Sequence, residues 1–139
     1  MSEPLTEMEV VAAVAAAYRE AGVKAAVLPY INDMAGAYAA ADLVVSRSGA
    51  TTVAELAVCG KRAVLVPFPF AADNHQEHNA RTLAERGAAE VVLQPDLTAE
   101  KLIAVIQKYA GAATPSVESL ANTAAEEIAG ICRDYVQKN

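Results

Sequence analysis

The chain has 139 residues, which fits one domain of the usual roughly 100–200 residues. Hydrophobic residues make up 54% and charged residues 20%, so the apolar content suits a folded core and excludes a disordered chain. Seventeen Asp and Glu against eleven Lys and Arg give a net charge of −6, the wrong sign for a protein that neutralises phosphate backbones over a broad surface, and bulk nucleic-acid binding is excluded on that ground.

Apolar periodicity divides the chain into short β-branched runs separated by alanine-rich helical stretches, the alternation that a parallel α/β sheet leaves in a sequence. A first helix is expected over 7–21, with Thr6 as its N-cap, Glu9 in capping-box spacing and Gly22 at its end. Residues 24–29 (KAAVLP) read as a strand. A short helix over 33–41, capped by Asn32 or Asp33, leads to a second strand over 42–46 (DLVVS), and a helix over 51–59 stops at Gly60. Residues 63–68 (AVLVPF) carry no polar side chain and read as a strand covered on both faces. After a loop rich in Pro, Phe and Ala come a helix over 73–86 ending at Gly87, a fourth strand over 89–93 and a helix over 98–109. A last amphipathic helix is expected over 116–137, beyond the break at 111–115.

Cys59 and Cys132 lie far apart without metal-ligand spacing, which suits two reduced thiols in the cytoplasm. The N-terminus has no basic region followed by an apolar one. No apolar run approaches the roughly 18 residues of a membrane span, so a soluble chain is expected.

In open α/β sheets ligands bind beyond the carboxyl ends of the strands, and three such loops carry chemistry here. In Ser46-Arg47-Ser48-Gly49-Ala50-Thr51-Thr52 small residues let backbone amides approach a ligand where a helix begins, a phosphate site by one reading and ordinary turn chemistry by the other. Glu55, three residues after Thr52, is either the return partner of a capping box or a carboxylate for two ribose hydroxyls. In the loop from Pro67 to Gln76, Asp73 and Gln76 have capping-box spacing, yet Asn74, His75 and Gln76 also gather hydroxyl-binding side chains in one helical turn. His75 and His78 share a face without an evident third ligand, so no metal site is expected. Pro29-Tyr30-Ile31-Asn32-Asp33-Met34 is either a strand-to-helix turn or an apolar rim for a flat base.

Taken together, Pro29 to Met34, Ala41 to Thr51 with Glu55, and Val66 to Gln76 with Asn79-Ala80 closely resemble the C-terminal domain of the MurG glycosyltransferases, the UDP-N-acetylglucosamine transferases of bacterial peptidoglycan synthesis. The resemblance covers nearly the whole chain in consistent order. It implies a GT-B enzyme, inverting at the anomeric carbon without cofactor or bound metal, whose C-terminal domain is a Rossmann-like parallel sheet flanked by helices and holds the sugar nucleotide. Carried over, Ile31 meets the uracil through its backbone with Met34 close by. The Ser48-Gly49-Ala50 turn and the helix start hold the diphosphate, and Arg47 and Thr51 beside them count among the substrate-binding residues. Glu55 takes the ribose hydroxyls, and Gln76 with His75 the hydroxyls of N-acetylglucosamine, with Asn74 among the substrate-binding residues. His75 stands at a position that is commonly Gln or His in the family.

The resemblance also implies departures of extent. The acceptor-binding domain, which supplies the candidate general base, has no counterpart in these residues, and neither do the first two strands of the donor-binding domain with their glycine loop. No catalytic residue is therefore assigned, and the chain alone is expected to be inactive. In the doubly wound order the strand at 24–29 would stand two strands from the others, a gap of roughly 14 Å that leaves backbone edges unpaired. A partner chain carrying the acceptor half is one expectation, and self-association through the apolar side of the last helix another. The competing reading is a non-catalytic module that binds a nucleotide sugar or another protein.

Overall fold

The computed structural model describes residues 4–70 and 74–109. The described residues form two compact units that divide between Ala37 and Tyr38. The expected helix over 116–137, and Asp73 as half of a capping box, lie outside the described residues.

In the first unit α1 spans Glu7–Glu20, and its start is the expected capping box: the Glu9 N–H donates to Thr6 Oγ1 while Glu9 Oε2 accepts from the Thr6 N–H at 2.8 Å. The reciprocal bonds satisfy donors that the first helical turn leaves without partners, and they hold the Glu9 carboxyl below its usual range. Helix α2, Met34–Ala40, begins on Asp33, whose Oδ1 accepts from the Gly36 N–H at 2.8 Å, so Asp33 rather than Asn32 is the cap. The strand expected over 24–29 does not form. Those residues carry no ladder hydrogen bonds, and Leu28 and Tyr30 are exposed. A parallel strand exists only through its neighbours, and the apolar run of KAAVLP has none among the described residues.

The second unit is built on three parallel strands in the order β1-β2-β3: Val44–Ser46, Ala63–Leu65 and Ala89–Val91. Val44 pairs with Ala63 and Ala63 with Ala89. The crossovers are α3, Ala50–Val58, and α4, His75–Glu85; α5, Ala99–Tyr109, follows a 3-10 turn at Gln94–Asp96. Helices pack on both faces, the doubly covered, Rossmann-like arrangement expected for the family.

Strand β2 is fully buried along its whole length, and its alternating side chains divide the core. Ala63 and Leu65 join Tyr38, Leu56, Ala80, Leu83, Ala88 and Ala89 under α3 and α4, whereas Val64 joins Val92 and Val105 under α5. Both crossover helices stop on a left-handed glycine. At Gly60, φ is 60°; its N–H reaches the Ala57 carbonyl and the Lys61 N–H the Leu56 carbonyl. Gly87, at φ 72°, closes α4 with the corresponding bonds to Ala84 and Leu83. Only glycine adopts this conformation without a Cβ penalty, so the chain turns at once into β2 and β3.

Two polar contacts tie the layers. Lys61 Nζ donates to the carbonyls of Ala39 and Ala41, at 3.2 and 3.0 Å, where α2 ends. On the opposite face Glu90 accepts from Lys108 Nζ at 2.7 Å and from the Tyr109 hydroxyl at 3.0 Å, with the Arg62 guanidinium 4.7 Å from the Tyr109 ring centre. The Lys108 bond is the leading cause that holds the Glu90 carboxyl below its usual range.

Two outcomes follow from this core. Leu65→Ala, at a fully buried site of the central strand, is expected to cost about 2–5 kcal/mol in urea unfolding. The buried Tyr38 hydroxyl donates to Glu55 Oε2 at 2.9 Å, and burial first, then that bond, push it from 10.0 up to about 12. A folded-state value above the unfolded one means that its contribution is complete below pH 10 and is lost as pH rises towards 12. Tyr109 is raised in the same direction. Tyr38→Phe should therefore flatten, without abolishing, the fall in stability over that window in a pH series of denaturation curves.

Candidate nucleotide-sugar site

Because the strands are parallel, their carboxyl ends open on one edge of the sheet. The ladder runs slightly past the strands, the Val66 N–H donating to Ser46 and the Val92 N–H to Leu65, both at 2.9 Å. Three loops start there: Arg47 to Gly49, Val66 to Phe70, and Val92 to Pro95.

The first loop leads into α3, whose N-cap is Gly49. No side chain caps this helix, and among the described residues nothing accepts from the N–H groups of Ala50, Thr51 and Thr52. Gly49 sits at φ −59°, a backbone that any residue adopts, and a Cβ built on it meets no atom within 4 Å. The protein's own packing therefore does not require glycine here. Ala50 and Thr51 are exposed. Bare amides and the positive end of the helix dipole favour negative charge.

Ser48, by contrast, is fully buried and faces the protein. Its Oγ donates to the backbone carbonyl of Gln76 at 2.7 Å, and its N–H donates to Gln76 Oε1 at 3.3 Å. Asn79 Nδ2 donates to the Ser48 carbonyl at 3.3 Å. The Phe68 N–H reaches the same Gln76 Oε1 at 3.0 Å. Arg47 turns its guanidinium to the carbonyls of Val66 and Pro67, at 3.3 and 3.2 Å, and lies 5.5 Å from the centre of the Phe68 ring. The Ser48 and Arg47 side chains thus organise the loops.

Glu55 does not close a capping box; its Oε2 accepts from Tyr38, leaving Oε1 without a hydrogen bond among the described residues. The carboxylate is half-buried one turn into α3. Asn74 caps α4 in the left-handed region, φ 54°, with no side-chain cap bond, and His75 beside it is exposed. Glu77 pairs with Arg81 one turn on. His75 and His78 are joined by no third His, Cys, Asp or Glu in a metal-binding group among the described residues. A cavity of about 170 Å³ lies between the second and third loops, lined by Pro67, Phe68, Pro69, Asn74, Glu77 and Gln94 among others.

The second unit therefore brings Arg47, Ser48 and Gln76 together around the second loop, with Gly49, Ala50 and Thr51 opening α3 beside them. Ile31 and Met34 belong to the first unit, where both side chains are exposed. Sequence reasoning assigned no role to Tyr38, Asn79 or the Phe68 amide. Asn79 carried a signal, since it stands three residues from Gln76 on one helical face. Tyr38 lies 17 residues from Glu55, and no local spacing links them.

A model of the glycosyltransferase family 28 C-terminal domain matches residues 7–132. A UDP-N-acetylglucosamine--N-acetylmuramyl-(pentapeptide) pyrophosphoryl-undecaprenol N-acetylglucosamine transferase of Aromatoleum aromaticum is 50% identical over 127 residues, 88% of this chain and 36% of that protein. A protein of the same name from Anaeromyxobacter sp. (strain Fw109-5) is 47% identical over 128 residues, 87% of this chain and 34% of its own length. The crystal structure of Acinetobacter baumannii MurG superposes with a TM-score of 0.67 at 41% identity, over 79% of this chain and 31% of that one. The chain spans about a third of the length of these relatives. With the family model covering most of its residues, and with identity near one half to named transferases, the chain belongs to the glycosyltransferase family 28 C-terminal domain family.

Proposed function

We propose that this chain is the donor-binding part of a glycosyltransferase that moves N-acetylglucosamine from UDP-N-acetylglucosamine to a lipid-linked muramoyl-pentapeptide acceptor in peptidoglycan synthesis. The observation that carries this reading is the uncapped start of α3, where Gly49 leaves open space that the fold itself does not need. The names of the relatives supply the donor and the acceptor.

In this reading the diphosphate lies on the amides of Ala50, Thr51 and Thr52. The acceptor oxygen attacks the anomeric carbon, the bond from that carbon to the β-phosphate oxygen breaks, and the electron pair leaves on UDP. The amides and helix dipole stabilise that growing charge. Glu55, held by Tyr38 through one oxygen, keeps Oε1 and further lone pairs for the vicinal ribose hydroxyls. By family likeness Gln76 with His75 and Asn74 serves the sugar, and Ile31 and Met34 the base. The acceptor and the group that takes its proton are the business of the remaining two thirds of such a transferase. No described helix is long and apolar enough to cross a membrane.

Calorimetric titration of the chain with UDP and UDP-N-acetylglucosamine tests the reading. Saturable binding is expected, and Glu55→Ala should weaken both ligands by about 30- to 160-fold, the loss of two solvent-accessible hydrogen bonds at about 1–1.5 kcal/mol each. A folded chain that binds neither ligand overturns it. Gly49→Ala separates ligand from fold: stability should change by less than about 1 kcal/mol, because the backbone angle suits alanine, while UDP affinity falls at least about ten-fold as the methyl enters the diphosphate space.

A further inference from the structure

The cavity of about 170 Å³ between the second and third loops lies one strand further along the sheet edge than the start of α3. Its walls are fixed. Pro67 and Pro69 restrict the second loop, whose Phe68 N–H is held by Gln76 at 3.0 Å, and the third loop closes on itself through Pro95 and the Asp96 N–H on the Leu93 carbonyl at 2.9 Å. Proline has no N–H, so at these three positions the wall presents ring carbons and no backbone donor. Three polar side chains face the same space with hydrogen-bonding capacity that the described residues leave unused. Asn74 caps α4 from the left-handed region, φ 54°, yet its amide makes no cap bond, although an asparagine at that position ordinarily serves the helix amides. The Gln94 side chain bonds to no described residue. Glu77 receives both Arg81 bonds on Oε1, which leaves Oε2.

We infer that this cavity is a second saccharide subsite, which takes one neutral hexopyranose ring other than the sugar of the nucleotide donor. Pockets for drug-sized ligands run to about 300–1,000 Å³, so a space of about 170 Å³ holds a single ring and excludes a nucleotide. Two amides and one carboxylate oxygen offer donors and acceptors together, the set that hydroxyl groups require. Proline rings and the Phe68 side chain match the C–H faces of the same ring. No Lys or Arg is among the described residues that line the space, and Glu77 is one of them, so a phosphate or other anion is disfavoured. Gln76, which family likeness gives to the donor sugar, does not line it, whereas Asn74 does and passes to the second sugar. The subsite goes beyond the donor-binding reading, to which only its separateness from a donor sugar refers.

The test is a titration of the ¹⁵N-labelled chain with methyl N-acetyl-β-D-glucosaminide, read by NMR at the Phe68 and Glu77 backbone amides and at the Asn74 and Gln94 side-chain amides. Saturable shifts in the millimolar range are expected at these four residues. Asn74→Gly, which suits the left-handed backbone, and Gln94→Ala, at an exposed site, should each weaken the probe about 2- to 12-fold, the loss of one hydrogen bond. The titration is repeated with UDP and then with UDP-N-acetylglucosamine at saturation, and the probe should bind unchanged in both. Displacement by UDP-N-acetylglucosamine but not by UDP makes the cavity the seat of the donor's own sugar and overturns the second subsite. Absence of saturable shifts in the folded chain overturns it as well, and so does undiminished binding in both variants. If the chain binds neither nucleotide, the donor-binding reading fails on its own, and the probe titration with the two variants still decides whether the cavity takes a saccharide.

Discussion

The second unit depends on one constraint, that β2 is buried on both faces and bonded on both edges. A strand in that position admits no polar side chain and no gap, and Ala63-Val64-Leu65 meets the demand with three residues. Its odd residues organise α3 and α4 on one face and its even residue α5 on the other, so displacing β2 would disturb every packed layer. Parallel pairing then brings the three strand ends to the same edge, and the loops that leave them have no choice but to meet. The site is in this sense a consequence of the sheet's direction.

What turns that meeting into a defined geometry is polar. Loops at a sheet edge carry backbone groups that the ladder no longer pairs, and each one left buried without a partner costs free energy. Here α4 provides the partners: Gln76 takes two N–H groups, its carbonyl takes the Ser48 hydroxyl, and Asn79 gives to the Ser48 carbonyl. Arg47 adds a strut to the carbonyls of the second loop. The amides of the first turn of α3 are the contrast, with no side-chain cap among the described residues. The fold satisfies Ser48 fully and leaves the amides of Ala50, Thr51 and Thr52 without an acceptor among the described residues. Within this cluster Ser48 is a strut, bonded to Gln76 and Asn79.

The exposed aromatic pair nearby belongs to the same edge. Phe68 and Phe70 meet edge to face at 5.6 Å, and Phe70 is 82% exposed. Its neighbour Phe68 is fixed by the Gln76 bond to its amide and by the Arg47 guanidinium beside its ring, so the loop's apolar tip stands on a polar base.

Much of this was legible in the residues. The helix starts and stops were written locally, in Thr6 and Glu9, in Asp33, in Gly60 and Gly87, because capping depends on residues only a few positions apart. The apolar run at 63–68 announced a buried strand, of which Ala63–Leu65 pairs in the sheet, and the Ser-Gly-Ala turn announced the start of a helix. The roles of Ser48, Gln76 and Glu55 were not legible, since each is settled by a group 17 to 28 residues away in the chain. The strand at 24–29 failed for a related reason: its residues have the propensity, but a parallel strand is made by its neighbours, and propensity cannot provide one. Sequence determined what hydrogen bonds over three or four residues, and what is apolar enough to be buried. Tertiary structure alone decided which end of the Gln76 amide faces the protein, because two N–H groups distant in sequence had first to arrive on one atom.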